Sequence, residues 1–170
     1  ALPIYEGILK VFHAARQDLE IFYHLSGRLP KPVFDTQVAA MVCGFGDSVG
    51  YDTLVAKMAG EKIDKSSRFT DWSIRPLSER QVNYALADVI HLRPVYEKLA
   101  AKLHGNGRGD WLAEEMAVLT QPATYDGESR EAYRRIKTRS ANGRMLAVLR
   151  ELAAWREKEA QRRDMPRNWI

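Results

Sequence analysis

Two side chains that can bind or orient a water molecule lie one helical turn apart in the sequence. Tyr84 and Asp88 fall on a stretch whose apolar residues recur at helical spacing, and Asp88 shares the apolar arc of that helix. A carboxylate among apolar neighbours must be paired, neutralised or bound to a cation, because desolvating a lone charge is costly. Two interpretations stay open: a structural residue that pairs with a nearby arginine or caps another backbone segment, or a cation-binding carboxylate at a functional site.

A second acidic residue, Asp18, follows His13 in the pattern H-x-x-x-x-D. The pattern runs from a strand predicted over Lys10 to Ala15 into a helix predicted over Gln17 to Ser26. An aspartate near a helix N-terminus is favoured by the helix dipole whatever its function. A lone histidine is more typical of a hydrogen-bonded structural residue than of a ligand.

The elements that must position these residues have clear start signals. Ser78 and Gln81 fit a capping box, which predicts that a helix begins there. Helical spacing continues to about Leu103, with a bend because Pro94 cannot donate a backbone hydrogen bond. Farther upstream, Asp35 is predicted to be the N-cap of a short helix.

Composition restricts the class of protein. The chain has 170 residues, 45% hydrophobic and 28% charged, which is typical of a globular domain. Its longest apolar stretch, Val38 to Phe45, is far shorter than the roughly 20 residues of a membrane span, so no membrane association is expected. Cys43 is the only cysteine, which excludes an intrachain disulfide and an all-cysteine metal site. No leader pattern is recognised, and a reducing cytoplasm is the default location.

The net charge of +4 is unevenly distributed along the chain. Residues 1–125 carry 14 Lys and Arg against 15 Asp and Glu, whereas residues 126–170 carry 12 against 7. This asymmetry favours a near-neutral domain followed by a segment that binds phosphate or another polyanion, or simply a solvated basic helix. Apolar residues at helical spacing from Leu146 to Trp155 predict such a helix, which Pro166 ends.

Three stretches of the sequence resemble the bacterial ribonuclease D family, in the tyrosine-bearing branch of the DEDD superfamily of 3′–5′ exonucleases. They are KVFHAARQDLEIF around Asp18, VFDTQVAAMVCG around Asp35, and DKSSRFTDWSIRPLSERQVNYALADVIHL around Tyr84 and Asp88. The last contains Y-x-x-x-D, the third exonuclease motif. The final residues, RMLAVLRELAAWREKEAQRRDMPRNWI, resemble the opening of a helicase-and-RNase-D C-terminal domain.

The resemblance implies an α/β fold: a ribonuclease H-like exonuclease domain without its N-terminal strands (residues 1–119), a linker (120–143), and the first helix of an all-α C-terminal domain (144–170). The family site needs four carboxylates, two of them from a D-x-E on a first strand, but Glu6 is the sole acid before His13. We therefore expect a fragment of a longer protein. Alone, it should be inactive, hold no tightly bound metal pair, and self-associate or order poorly near its N-terminus.

The resemblance also implies roles for individual residues. Asp18 and Asp88 are the catalytic, metal-binding carboxylates of the second and third motifs, and Tyr84 is the catalytic tyrosine that orients the attacking water. The implied cofactors are two divalent cations, Mg²⁺ or Mn²⁺, which activate the water and stabilise the departing 3′-oxygen.

Four further residues near the motifs are candidates for substrate binding: His13, Lys65, Trp72 and Arg75. Cations and a flat aromatic ring can bind a terminal phosphate and stack a base, a combination suited to single strands. The alternative is that Trp72 fills the core and the neighbouring cations are merely solvated.

The leading hypothesis is a metal-dependent 3′–5′ exoribonuclease that acts on single-stranded RNA 3′ ends, by resemblance those of transfer-RNA precursors. A DNA-directed exonuclease on the same scaffold stays open, because the site motifs do not report the 2′-hydroxyl contact that distinguishes RNA from DNA. A non-catalytic nucleic-acid-binding module is the alternative from a different class.

Overall fold

A computed structural model describes residues 5–125, 129–138, 142–163 and 165–170 of the chain. The chain divides into two compact units, Ala1–Pro122 and Ala123–Ile170. The expectation of poor order near the N-terminus falls largely on residues 1–4, which lie outside the described residues.

The first unit mixes strands and helices and is mostly helical. Its two short strands are β1 (Lys10–Phe12) and β2 (Val33–Asp35). Its helices are α1 (Arg16–Ser26), α2 (Thr36–Val42), α3 (Tyr51–Met58), α4 (Glu79–Ile90), α5 (Leu92–Gly105) and α6 (Gly109–Leu119).

The two strands and the helix between them form a β–α–β unit. β1 and β2 are parallel, with Lys10 opposite Val33 and Phe12 opposite Asp35. Parallel strands require a crossover connection, and α1 supplies it. Ala15 and Leu19 on this crossover are fully buried, so the segment that carries Asp18 is anchored in the core.

The side chain of Asp35 ties the ends of the two strands together. Its Oδ1 caps α2, as the sequence predicts, by accepting from the backbone N–H groups of Gln37 at 2.8 Å and Val38 at 3.4 Å. The same carboxylate accepts from the N–H of Ala14 at 3.0 Å and of Ala15 at 2.7 Å. Ala14 has a left-handed φ of 58°, which costs a residue with a Cβ roughly 1–2 kcal/mol. Asp35 therefore holds a strained turn and, through it, the start of α1.

Helices α2, α3 and α5 form most of the core beside the strands. Phe34 of β2 meets Tyr96 of α5 edge-on, with ring centroids 4.8 Å apart, which joins the sheet to the longest helix of this unit. The fully buried side chains of the three helices include Ala39, Ala40, Leu54, Val55, Val95 and Leu99.

The long helix predicted from Ser78 is two helices, α4 and α5. Its start is confirmed: Ser78 Oγ accepts from the Gln81 N–H at 3.3 Å, and Gln81 Oε1 accepts from the Ser78 N–H at 2.9 Å. The predicted bend is a break at His91, just before Pro94. The reason is that proline has no N–H to continue the hydrogen-bond ladder.

The break changes which side chains are buried. Val95 and Leu99 of α5 are fully buried, but Val89 of α4 is 68% exposed. The continuous apolar arc predicted across both helices was therefore wrong for α4, whose one buried residue is the capping residue Gln81. Two helices separated by a break do not share one angular register.

The second unit is built around α7 (Gly143–Arg163), the basic helix predicted from the apolar spacing. This helix ends before Pro166. Short 3-10 helices occur at Pro122–Thr124, Ser129–Arg135 and Arg167–Trp169. The one at Ser129–Arg135 lies in the predicted linker and packs against α7. Among the described residues, no helix combines the length and apolarity needed to cross a membrane.

Replacing Asp35 by alanine should destabilise the first unit by at least about 3 kcal/mol, because hydrogen bonds to a charged acceptor contribute roughly 1.5–3 kcal/mol each and the buried N–H of Ala15 loses its partner. The free energy of unfolding, from urea titration followed by circular dichroism, measures this. Asp47 is exposed, so Asp47→Ala is the matched control and should change stability by less than about 0.5 kcal/mol. Equal losses in the two variants would show that Asp35 does not hold the turn.

Candidate functional site

A cavity of about 470 Å³ in the first unit brings the predicted catalytic residues together. Asp18, Tyr84 and Asp88 all line it, and so do His13 and Lys65. A separate cavity of about 670 Å³ lies between the start of β2 and α6 and is lined mainly by apolar side chains. The smaller cavity is the candidate site because Asp18, Tyr84 and Asp88 all line it, whereas none of them lines the larger one.

Asp18 reaches the cavity from the first turn of α1. The turn held by Asp35 sets where this helix begins, and the N-terminal end of a helix favours a negative charge. Partial burial raises the pKa of the Asp18 carboxyl, and the negative charge of Asp35 raises it further. Asp18 nevertheless stays accessible to solvent, as a ligand for a dissolved ion must.

Asp88 and Tyr84 reach the cavity from α4, one helical turn apart and both half-buried. Burial raises the pKa of the Asp88 carboxyl above its ordinary value. Within the described part of the chain, neither Asp88 nor Asp18 forms an ion pair, and no cation lowers the pKa of either. The interpretation of Asp88 as half of a structural salt bridge is therefore not supported, and the charges of Asp18 and Asp88 have no described ion-pair partner.

Two residues at the start of α3, Tyr51 and Asp52, line the same cavity although no sequence pattern marked them. The Tyr51 hydroxyl donates to the backbone carbonyl of Asp88 at 2.8 Å. Burial raises the pKa of the Tyr51 phenol far above its ordinary value, and the Asp88 charge adds to this effect, so the hydroxyl stays a donor. The contact joins residues on two different helices, which no local spacing in the sequence reveals.

His13 is held by hydrogen bonds at the end of β1. Its Nδ1 lies 2.9 Å from Thr36 Oγ1, and the Thr36 hydroxyl donates to the Phe12 carbonyl at 3.0 Å, so Nδ1 is the donor of the first bond. Burial lowers the pKa of His13 despite the opposing charge of Asp35. The ring is therefore neutral near pH 7 and has the hydrogen-bonded role expected for a lone histidine, while its edge lines the cavity.

Lys65 and Arg68 place cations on the cavity wall. Lys65 Nζ lies 2.6 Å from Asp52 Oδ2, and this pairing lowers the pKa of the Asp52 carboxyl. Both side chains are partly exposed, so the pair can open at small cost. A phosphate that enters the cavity can therefore compete with Asp52 for Lys65.

Trp72 and Arg75 lie outside the cavity wall. The Trp72 ring contacts the Tyr84 ring, with centroids 5.8 Å apart, so it neighbours the site through Tyr84. The Arg75 guanidinium donates to the carbonyls of Trp72 at 2.7 Å and Ile74 at 3.0 Å. Arg75 therefore stabilises the loop that carries Trp72 and does not contact the cavity.

The donor set of the cavity suits a hard divalent cation. Carboxylate oxygens are the ligands that Mg²⁺ and Mn²⁺ prefer, and Asp18 and Asp88 supply them without a described ion pair to a protein cation. Two carboxylates are fewer than a closed site requires: the described residues contain no group of three or more His, Cys, Asp or Glu side chains that could hold a metal.

Comparison with known proteins places this geometry in a family. The sequence model of a 3′–5′ exonuclease family matches residues 4–104 of the chain. Ribonuclease D of Acidiphilium cryptum is 60% identical over 164 residues, which cover 96% of this chain and 42% of that protein. The chain thus spans about two-fifths of the length of the curated relatives it matches.

Solved structures agree with the sequence comparison. The crystal structure of Escherichia coli RNase D, described as an exoribonuclease involved in structured RNA processing, matches 99% of this chain and 45% of its own, at 35% identity and a TM-score of 0.84. Brucella melitensis NrnC with bound Mg²⁺ matches 83% of this chain and 67% of its own, at 25% identity and a TM-score of 0.64.

Asp88→Asn should stabilise the metal-free protein at neutral pH. Burial raises the folded-state pKa of Asp88 above its unfolded value, so the ionised carboxylate opposes folding at pH 7. The penalty vanishes as the pH falls through the folded pKa to the unfolded one. The gain in free energy of unfolding should thus be larger at pH 7 than at about pH 4.

Urea titrations with EDTA at both pH values measure this gain. Asp47→Asn, at an exposed position, is the control and should show no pH-dependent difference from the parent. An Asp88→Asn variant that is less stable than the parent at pH 7 would show that the ionised Asp88 carboxylate does not oppose folding.

Proposed function

The chain belongs to the 3′–5′ exonuclease family and is a homologue of bacterial ribonuclease D, and from this premise we propose that it carries part of the active site of a metal-dependent 3′–5′ exoribonuclease. The observation that carries the proposal is the meeting of Asp18, Tyr84 and Asp88 in one cavity, although Asp18 lies on a different helix from the other two.

The metal part of the proposal is supported by the donor set and by the lack of a described ion-pair partner for either carboxylate. Asp88 and Asp18 would hold two divalent ions, Mg²⁺ or Mn²⁺. When bound, such ions acidify the attacking water and stabilise charge on the departing 3′-oxygen. The Mg²⁺-bound NrnC structure shows that a relative of the same fold binds such an ion.

In this proposal, Tyr84 orients the attacking water molecule. Its hydroxyl, one turn from Asp88 on α4, can donate to and accept from a water molecule in the cavity. The Trp72 ring against the Tyr84 ring limits how far the phenol can swing. A water molecule aligned with the scissile phosphate in this way reacts faster, because the entropic cost of orienting it is no longer part of the activation barrier.

The substrate contacts come from the wall of the cavity and the loop beside it. Lys65 would exchange Asp52 for a substrate phosphate, and His13 presents a neutral edge to the cavity. Trp72 can stack a base, as aromatic residues do in single-strand sites. Arg75 contributes indirectly, since both of its described hydrogen bonds support the Trp72 loop.

The proposed substrate is the single-stranded 3′ end of RNA, including transfer-RNA precursors. Support for RNA over DNA comes from the relatives, which are ribonucleases by name. An RNA substrate of this kind would place the enzyme in the cytoplasm. The basic excess of residues 126–170 adds a second, salt-sensitive source of affinity for the phosphate backbone.

Loss of a residue that only supports a metal ligand typically lowers activity by roughly 10–100-fold. Since Asp88 is proposed to bind the metal directly, Asp88→Asn in the complete protein should lower the rate of RNA degradation by more than that. Tyr84→Phe should lower the single-turnover rate by about 100-fold, because a misplaced reactant costs that much, and should leave Mn²⁺ affinity unchanged. A 3′-tailed RNA with Mn²⁺ is the substrate for both assays.

Asp47→Asn and Tyr96→Phe, which remove the same groups outside the cavity, are the matched controls. An Asp88→Asn variant that degrades RNA at the parental rate would refute the proposed site. An unchanged single-turnover rate for Tyr84→Phe would refute the orienting role of Tyr84 alone.

Trp72→Ala should weaken the binding of single-stranded RNA by about 5- to 100-fold, the effect of losing one stacked base. Fluorescence anisotropy with a labelled oligonucleotide measures the dissociation constant. Trp111 is an exposed tryptophan on α6, outside the cavity wall, so Trp111→Ala controls for the loss of an aromatic ring. A correctly folded Trp72→Ala variant with parental affinity would show that the ring only packs against Tyr84.

A further inference from the structure

We infer that Tyr51 is a positioning residue that fixes the Asp88 carboxylate relative to Asp18. The inference rests on the proposed function, because it concerns how the two proposed metal-binding carboxylates are held together. Its geometric basis is the Tyr51 hydroxyl, which lies 2.8 Å from the carbonyl of Asp88 and 3.3 Å from that of Ala87.

The helix that carries Asp88 needs such a contact because core packing does little to hold it. The last turn of α4 leaves Val89 68% and Ile90 62% exposed, and Gln81 at the opposite end is the one buried residue of the helix. The break at His91 also interrupts the backbone ladder just after Asp88. Carbonyl groups near a helix C-terminus often lack intrahelical partners, and a side-chain hydroxyl can satisfy them. The Ala87 carbonyl already accepts from the His91 N–H at 3.3 Å, so the bond from Tyr51 matters most for the Asp88 carbonyl.

Tyr51 itself packs against another residue of the cavity wall. Its ring lies against the His13 ring, with centroids 5.3 Å apart. His13 donates to Thr36 Oγ1, and Thr36 donates to the Phe12 carbonyl at the end of β1. Tyr51 therefore connects the end of α4 to the strand end from which the chain turns into α1.

This connection matters because the two proposed carboxylates lie on helices that are far apart in sequence. The position of Asp18 depends on the turn after β1, which Asp35 holds. The position of Asp88 depends on the end of α4, which Tyr51 ties to the same strand end. Metal-binding side chains must be held to within roughly 0.5 Å of their working geometry, and rigid supporting residues provide this.

The decisive variant is Tyr51→Phe, which keeps the ring against His13 and removes the hydroxyl. In the complete protein, we expect the Mn²⁺ concentration that gives half-maximal nuclease activity to rise about 3- to 10-fold, the effect of one lost hydrogen bond. Direct Mn²⁺ binding, measured without RNA by electron paramagnetic resonance of the free ion, should weaken by the same factor. Saturating Mn²⁺ should restore turnover to near the parental value.

Tyr96→Phe is the matched control, because it removes a phenol hydroxyl from a residue whose described contact is the ring of Phe34. It should leave Mn²⁺ affinity unchanged. A Tyr51→Phe variant with a lower melting temperature but parental Mn²⁺ affinity and half-saturation would overturn the inference, since Tyr51 would then serve only stability.

Assays of Asp88→Asn alongside Tyr51→Phe distinguish failure of this inference from failure of the proposed function. If Asp88→Asn abolishes activity while Tyr51→Phe leaves Mn²⁺ affinity unchanged, the site stands and the role of Tyr51 is refuted. If Asp88→Asn retains parental activity, the proposed function itself fails, and the positioning role of Tyr51 fails with it.

Discussion

The carboxylate of Asp35 is the constraint on which the rest of the first unit depends. It accepts from the N–H groups of Gln37 and Val38 at the start of α2 and of Ala14 and Ala15 at the start of α1. Without those bonds, the left-handed backbone at Ala14 would have no compensation for its steric cost. The direction of α1, and therefore the place of Asp18 in the cavity, follows from this buried side chain.

Asp35, Asp18 and Asp88 are the same residue type in opposite environments. Asp35 is 2% exposed, yet its charge is dispersed over four backbone donors. Asp18 and Asp88 lie in the cavity with no such donors described, and burial raises the pKa of both carboxyl groups. A carboxylate surrounded by N–H groups stabilises a fold, whereas one left without partners is available to a cation. The same contrast separates the structural acid from the two proposed metal ligands.

Local signals in the sequence predicted the parts of the fold that depend on neighbouring residues. The capping box at Ser78 and the cap at Asp35 were visible, because each depends on a few consecutive side chains. Pro94 predicted a bend, but not the complete break into two helices at His91. The meeting of Asp18 and Asp88 was predicted from the family resemblance rather than from spacing. The Tyr51–Asp88 bond and the exposed face of α4 were not visible, because they depend on how separate helices pack.

Gln81 belongs to a local sequence motif but also forms hydrogen bonds outside that motif. Besides closing the capping box, its buried amide Nε2 donates to Thr70 Oγ1 at 3.2 Å and to the Asp71 carbonyl at 3.0 Å. These bonds fix the irregular loop immediately before Trp72, so the Trp72 ring meets Tyr84 one turn along the helix that Gln81 caps. Gln81, which closes the capping box of α4, therefore also places the proposed base-stacking ring. The proposed stacking of a base on Trp72 and the proposed orientation of water by Tyr84 therefore depend on the same structural support.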